Sequence, residues 1–295
     1  MDWTIASMRI TALARIGCMG AFCVLCAVAS PSWAQDDDAQ DRVLRVCQDP
    51  NNLPLSNRDG SGLENRIAQL FADKLGWKLE HTWYPQRMGF IRNTLRAKLP
   101  DSDRYKCDLV TGVPVGFDMG LTTRPYYRST YAMAYVKGHG LDDVHTPEDL
   151  LKLDVARRKA LRIGAFIRTP AVDWLLQHGL IDQMVPYQHQ SGDPEQYTGE
   201  VVDHDLADGK LDVVIAWGPI VAYFAQHAKP ETPMVVVPFP PDASGLRYDF
   251  EIAMAVRHGD KALRDRIDSL IGSSQPEIAA LLREYGVPSV PMQPD

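Results

Sequence analysis

The chain is poor in the residues that build catalytic centres. It has five cysteines in 295 residues, and Cys18, Cys23 and Cys26 crowd into one N-terminal apolar stretch. No Gly-x-Ser-x-Gly elbow, His-Glu-x-x-His helix, phosphate loop or Gly-x-Gly-x-x-Gly turn occurs, which leaves the common hydrolase, metalloprotease and nucleotide-binding signatures unfilled. The eight histidines are scattered without metal-ligand spacing. Basic residues are outnumbered, 31 Lys and Arg against 38 Asp and Glu, for a formal charge of −7. Such a chain is a poor binder of nucleic acid or of an anionic membrane. Long apolar runs are also missing, since "IGCMGAFCVLCAVA" is shorter than a membrane span requires.

What that stretch does resemble is an export signal. Arg9 and Arg15 precede it, "SPSWA" follows, and then comes the acidic "QDDDAQD". A positive flank, an apolar centre and small residues are the parts of a removable leader. We place its cleavage after Ala34 and read 35–42 as an acidic flexible tail. Its loss leaves the mature chain one unit more acidic, exported to the periplasm and soluble. It also discards the Cys23-x-x-Cys26 pair, leaving Cys47 and Cys107. Two cysteines in an oxidising compartment read as one disulfide or as two separate buried thiols.

Strands and helices alternate beyond the leader. "RVLRVCQ" reads as a buried strand, followed by the turn-rich "DPNNLPLSNRDGSG". Ser61-x-x-Glu64 predicts a capping box opening the helix "ENRIAQLFADKL", which Gly76 ends. "KLEHTWY" alternates as a strand, "QRMGFIRNTLRAK" predicts a helix and "CDLVTGV" a strand. The order then repeats weakly. "ALRIGAF" echoes the first strand, "TPAVDWLLQHG" is a helix capped by Thr169 with Pro170 in its first turn, and "VVDHDLADG" is a short helix. "LDVVIAW" echoes "CDLVTGV". The strands "MVVVPFP" and "YDFEIAMAV" and two helices close the chain. The expected architecture is α/β with two lobes, 43–136 plus 239–295 and 137–238, around a hinged cleft.

Ligands of such sheets bind beyond the carboxyl ends of the strands. The loops there put Asn51, Asn52, Asn57, Arg168, Thr169 and Trp217 forward as cleft candidates, with Arg87 and the pair Tyr126 and Tyr127. Each has a plainer role available: turn formation for the asparagines, solvation for the arginines, core packing for the aromatics. Trp217 stands where a strand turns directly into a helix, a place where a small polar ligand would want a charged or hydrogen-bonding side chain.

"CDLVTGVPVGFDMGLTTRPYYRSTYAMAY" resembles the first-lobe segment of type II periplasmic substrate-binding proteins, through Thr123-Arg124-Pro125-Tyr126-Tyr127. With "LRVCQDPNNLPLSN", "GLENRIA", "TWYPQRMGFIRNTL", "VVIAWGPIVAYF" and "EYGVPSV", the chain is similar to the quinoprotein dehydrogenase-associated binding proteins of the MoxJ and XoxJ type, from about Leu44 to Val290. That resemblance implies a two-lobed type II fold and a periplasmic PQQ-dependent methanol dehydrogenase, through its catalytic subunit, as partner. It assigns the PQQ cofactor to that partner, while the missing enzyme motifs and metal-ligand spacing argue against catalysis or a metal in this chain. Amino-acid-binding members clamp a carboxylate with an arginine after the "DLV" strand and an ammonium with an aspartate near Trp217. Here the loop reads "VPVGFDMG" and the aspartate is replaced by the aromatic. The expectation is therefore an accessory protein gripping an apolar group or a partner side chain. The rivals are a transporter component binding a small, mainly uncharged molecule and, less favoured, a lyase using Glu64.

Overall fold

The computed structural model describes residues 42–188, 195–240 and 245–292. The leader and most of the acidic tail read above lie outside the described residues.

Among the described residues, twelve strands and seven α-helices follow one another. They are β1 (Val43–Gln48), β2 (Asn51–Asn52), β3 (Ser56–Asn57), α1 (Leu63–Leu75), β4 (Lys78–Trp83), α2 (Phe90–Asn93), β5 (Leu109–Pro114), β6 (Leu121–Thr122) and β7 (Tyr127–Val136). The second half holds α3 (Val155–Ala160), β8 (Ile163–Phe166), α4 (Pro170–Gln177), β9 (Met184–Tyr187), β10 (Val213–Trp217), α5 (Gly218–Gln226), β11 (Met234–Pro238), β12 (Asp249–Val256), α6 (Lys261–Ser273) and α7 (Gln275–Glu284). A π-helical turn covers Val201–Leu206.

The first sheet runs β4-β1-β5-β12 and the second β7-β10-β8-β9, with β11 also on β7. Parallel pairs β1–β4, β1–β5, β8–β9 and β8–β10 come from β-α-β crossovers. Strand β7 belongs to both sheets. Its first residues, Tyr127 to Thr130, pair with β12, and Tyr131 onward pairs with β10 and β11. A second passage lies alongside, where Phe239 N donates to the Tyr131 carbonyl at 2.8 Å and Tyr131 N to that of Tyr248 at 2.9 Å. The hinge between the two sheets is thus made of backbone that is itself hydrogen-bonded.

Each sheet buries its own core. Leu44, Val46, Ile67, Phe71, Met254, Ile267 and Ile278 pack on the first. Met133, Leu150, Ile163, Trp174, Leu175 and Ile215 fill one face of the second. Trp217 packs against both and against a third cluster around Val202 and Val221. Gly218 follows it because nothing larger fits. A Cβ there would stand 2.2 Å from the Thr130 carbonyl oxygen.

Three local expectations are corrected. The capping box at α1 does not involve Ser61 and Glu64. Gly62 is the N-cap, and the Asn65 side-chain Oδ1 accepts from Gly62 N at 3.0 Å and from Asn57 N at 2.8 Å. The predicted helix over "QRMGFIRNTLRAK" shrinks to the single turn α2. Gly89 enters it at φ +89°, and the Thr94 hydroxyl donates to the Phe90 carbonyl, favouring a local turn over propagation. Thr169 precedes α4 as expected, but its hydroxyl donates backwards to the Phe166 carbonyl at 2.7 Å instead of capping a helical N–H. Cys47 and Cys107 form a disulfide with Cα atoms 5.5 Å apart, so the disulfide reading holds over two free thiols.

Candidate functional site

A cavity of about 540 Å³ lies between the two sheets, the size of a small-molecule site. Its walls come from the carboxyl ends of strands. Behind β1 are Asp49 to Asn52, after β4 are Pro85, Gln86 and Arg87, and on β5 are Gly112 and Pro114. The second sheet contributes Tyr131, Phe166, Tyr187 and Trp217.

One wall is aromatic. Trp217 meets Tyr131 edge-on at 5.7 Å and Phe250 at 6.0 Å, and Tyr131 meets Phe250 at 6.5 Å. Register explains the triad. Trp217 lies opposite Tyr131 in the β10–β7 ladder, and Phe250 pairs with Ser129 on the same strand. Edge-to-face aromatic contacts add stability beyond the area they bury. Burial also pushes the Tyr131 phenol up to about 12, so it stays neutral. Tyr187 and Tyr197 extend the wall. Their hydroxyls donate to Asp205 at 2.6 Å and Asp203 at 2.7 Å, which turns the polar tips away and leaves ring faces for the cavity.

The remaining surface carries side-chain amides: Asn51, Asn52, Gln86, Gln188 and Gln196. Two of them bridge the mouth. Asn51 Nδ2 donates to the Glu195 carbonyl at 3.1 Å, and Asn52 Oδ1 accepts from Thr198 Oγ1 at 3.1 Å. Asn52 Nδ2 also donates to Gln86 Oε1 at 3.2 Å. Asp49 is occupied within its own loop, accepting from the backbone of Asn51 and of Gln86. Arg87 is the one cation in the lining among the described residues, set against Asp49 and Glu200.

The sequence candidates therefore divide. Asn51, Asn52, Arg87 and Trp217 come together at the cavity. Asn57 sits behind it, pairing with Asn51 in the β2–β3 hairpin. Arg168 is exposed at φ +60° between β8 and α4, and Thr169 is buried beneath it; neither lines the cavity. Tyr126 and Tyr127 are buried behind Gly112, not on the cavity surface.

Those two tyrosines surround Glu64. Tyr126 donates its hydroxyl to Glu64 Oε2 at 2.6 Å and accepts from Gly112 N at 3.0 Å. Burial raises the Glu64 carboxyl to about 7; the hydroxyls of Tyr126, Thr111 and Tyr127 temper the rise without reversing it. Sequence reading missed Tyr131, Phe166, Tyr187, Tyr197 and Phe250 as wall residues. Strand alternation gives a side to the four that lie in strands, and Tyr197 lies in a loop; only the pairing partner says that the side is a cleft.

No family model matches the chain. Among individual proteins, it is 31% identical to Protein MoxJ of Methylorubrum extorquens, across 96% of this chain and 97% of that protein. It is 27% identical to Protein MoxJ of Paracoccus denitrificans, across 92% and 96%. The crystal structure of the periplasmic binding protein XoxJ from Methylobacterium extorquens superposes with a TM-score of 0.66 at 33% identity, over 84% of this chain and all of that one. No helix among the described residues is long and apolar enough to cross a membrane. With its two sheets joined through β7 around an aromatic cleft, the chain belongs to the MoxJ/XoxJ family of proteins with the two-lobed type II periplasmic-binding-protein fold.

Proposed function

We propose that the chain is a periplasmic accessory protein of a PQQ-dependent methanol dehydrogenase, exported by a leader ending at Ala34. Its cleft grips a segment of the catalytic subunit during maturation or activation, and the chain itself performs no catalysis. The observation that carries this reading is the Trp217–Tyr131–Phe250 wall facing side-chain amides. Such a surface suits an apolar anchor whose flanking peptide groups hydrogen-bond to the amides. A free amino acid would instead want opposed charges available to clamp it, whereas Asp49 is already engaged by the backbone of its own loop and of Gln86.

Calorimetric titration of the protein into purified dehydrogenase, cofactor-free and cofactor-loaded, tests the reading. Preferential binding of the cofactor-free form is expected, weakened at least about tenfold by Trp217→Ala, since buried aromatic anchors dominate such interfaces. Absence of a complex with either form would reject it.

The amide bridges across the mouth favour a second reading, a solute-binding component of a transporter that closes over a small, mainly uncharged molecule. A ligand-dependent rise in Tm in a solute screen, without dehydrogenase binding, would select it.

A further inference from the structure

Behind the main cleft lies a side chamber of about 20 Å³, room for one water-sized group. It shares Asp49, Leu55, Gln86 and Gly112 with the cleft, so the two meet along that line. At its inner end is Glu64, only 2% exposed, whose buried Oε1 makes no well-formed hydrogen bond although the Thr111 and Tyr127 hydroxyls lie near the carboxyl. The other oxygen is already committed to Tyr126. Gly112, at φ +69°, has no side chain to separate Oε1 from the cleft wall; a Cβ there would sit 3.5 Å from that atom.

Most of the chamber's surface is apolar, and its lining lacks a positive charge. Its lining holds two carboxyls, Asp49 and Glu64, and neither lysine nor arginine. Gln48 is spent on neighbours, donating to Thr111 Oγ1 and accepting from Asn65. A buried carboxyl with one unmet oxygen is costly, and a cation that also donates a hydrogen bond meets both its needs.

We propose that this chamber is a binding subsite for a primary ammonium group, reached through the cleft past Gly112 and Leu55, with Glu64 Oε1 as its acceptor. The proposal rests on the cleft being a recognition site and names a chemistry for its inner end. The ammonium belongs either to a small alkylamine or to a lysine side chain of a protein segment.

Calorimetry on the intact mature protein tests this without any dehydrogenase. The probes are butylammonium and Nα-acetyl-lysine amide, each titrated near neutral pH in phosphate and in HEPES. Glu64 holds its proton part of the time there, so ammonium binding releases protons, and the measured heat differs between the two buffers. Glu64→Gln is expected to weaken binding at least about tenfold and abolish the buffer difference. Leu55→Trp, narrowing the entrance while leaving the carboxyl intact, is expected to weaken binding as well. It keeps the test decisive if Glu64→Gln fails to fold. Binding of butylammonium alone assigns a small-molecule source, and binding of the lysine amide alone a protein source. No binding of either probe, or binding that survives Glu64→Gln unchanged, overturns the subsite. Because the dehydrogenase is absent, that failure is distinct from failure of the accessory role.

Discussion

Thr198 Oγ1 donates a hydrogen bond of 3.1 Å to Asn52 Oδ1 across the mouth of the cleft, joining the β2–β3 hairpin on one side to the segment before the π-helical turn on the other. With the Asn51–Glu195 contact beside it, this pair holds the cleft narrow. Thr198→Val keeps the shape and removes the donor. One neutral hydrogen bond is worth about 1 kcal/mol net, so the open form should gain about fivefold in population. Distance distributions between spin labels on the two lobes would record it; an unchanged distribution would mean that the pair does not hold the closed form.

Glu64 should leave a signature in the pH dependence of stability. The unfolded carboxyl loses its proton near 4.5, whereas the folded one keeps it to about 7. Between those values the folded state binds more protons, so stability is greatest at the acid end and falls as pH rises, levelling above about 7. The contribution amounts to about 3 kcal/mol across the window. Urea unfolding of the native protein and of Glu64→Gln at several pH values should show the two curves diverging by that amount. Parallel curves would count against a protonated Glu64.

Removing the disulfide should cost stability through the unfolded chain. Cys47 and Cys107 are 60 residues apart and close a loop containing α1, β4 and α2. Chain-entropy estimates for such a loop give about 4 kcal/mol as an upper figure. The Cys47→Ala, Cys107→Ala double variant should unfold at lower denaturant than the oxidised protein, and reducing agent should leave its midpoint unmoved.

Gly218→Ala should be far more damaging than a methyl group suggests. The added Cβ would meet the Thr130 carbonyl and the Pro288 ring, both fixed at the hinge. Overpacking of this kind costs about 1–3 kcal/mol. A fall in Tm is expected, together with weaker partner binding, since Trp217 is the neighbouring residue.

The regular elements were legible where hydrophobic runs are bounded by turn residues. β1, β5, β8, β10 and β12 lie where the pattern puts them, as do α1, α4, α6 and α7. β7 was not legible as an element. Arg128, Ser129 and Thr130 interrupt its apolar pattern, and their reason is non-local: Arg128 pairs with Asp249 at 2.7 Å and Ser129 donates to the Pro288 carbonyl. Glu64 shows the same limit more sharply. A local rule explained it as a helix cap, whereas its partner Tyr126 lies 62 residues away. Trp217 could be read as a cleft aromatic because it ends a strand before a helix. Tyr131 and Phe250 lie inside strands, where sequence gives a face and the fold decides what that face meets.

The continuity of β7 through both sheets restricts how the protein can move. Sliding one lobe past the other would require breaking the ladder from Tyr127 to Val136 at many places at once. Twisting about the Thr130–Tyr131 linkage breaks few of those bonds. The lobes accordingly have a rotational freedom and almost no translational one. A segment held in the cleft would turn with its lobe, so that closure would exert torque on it.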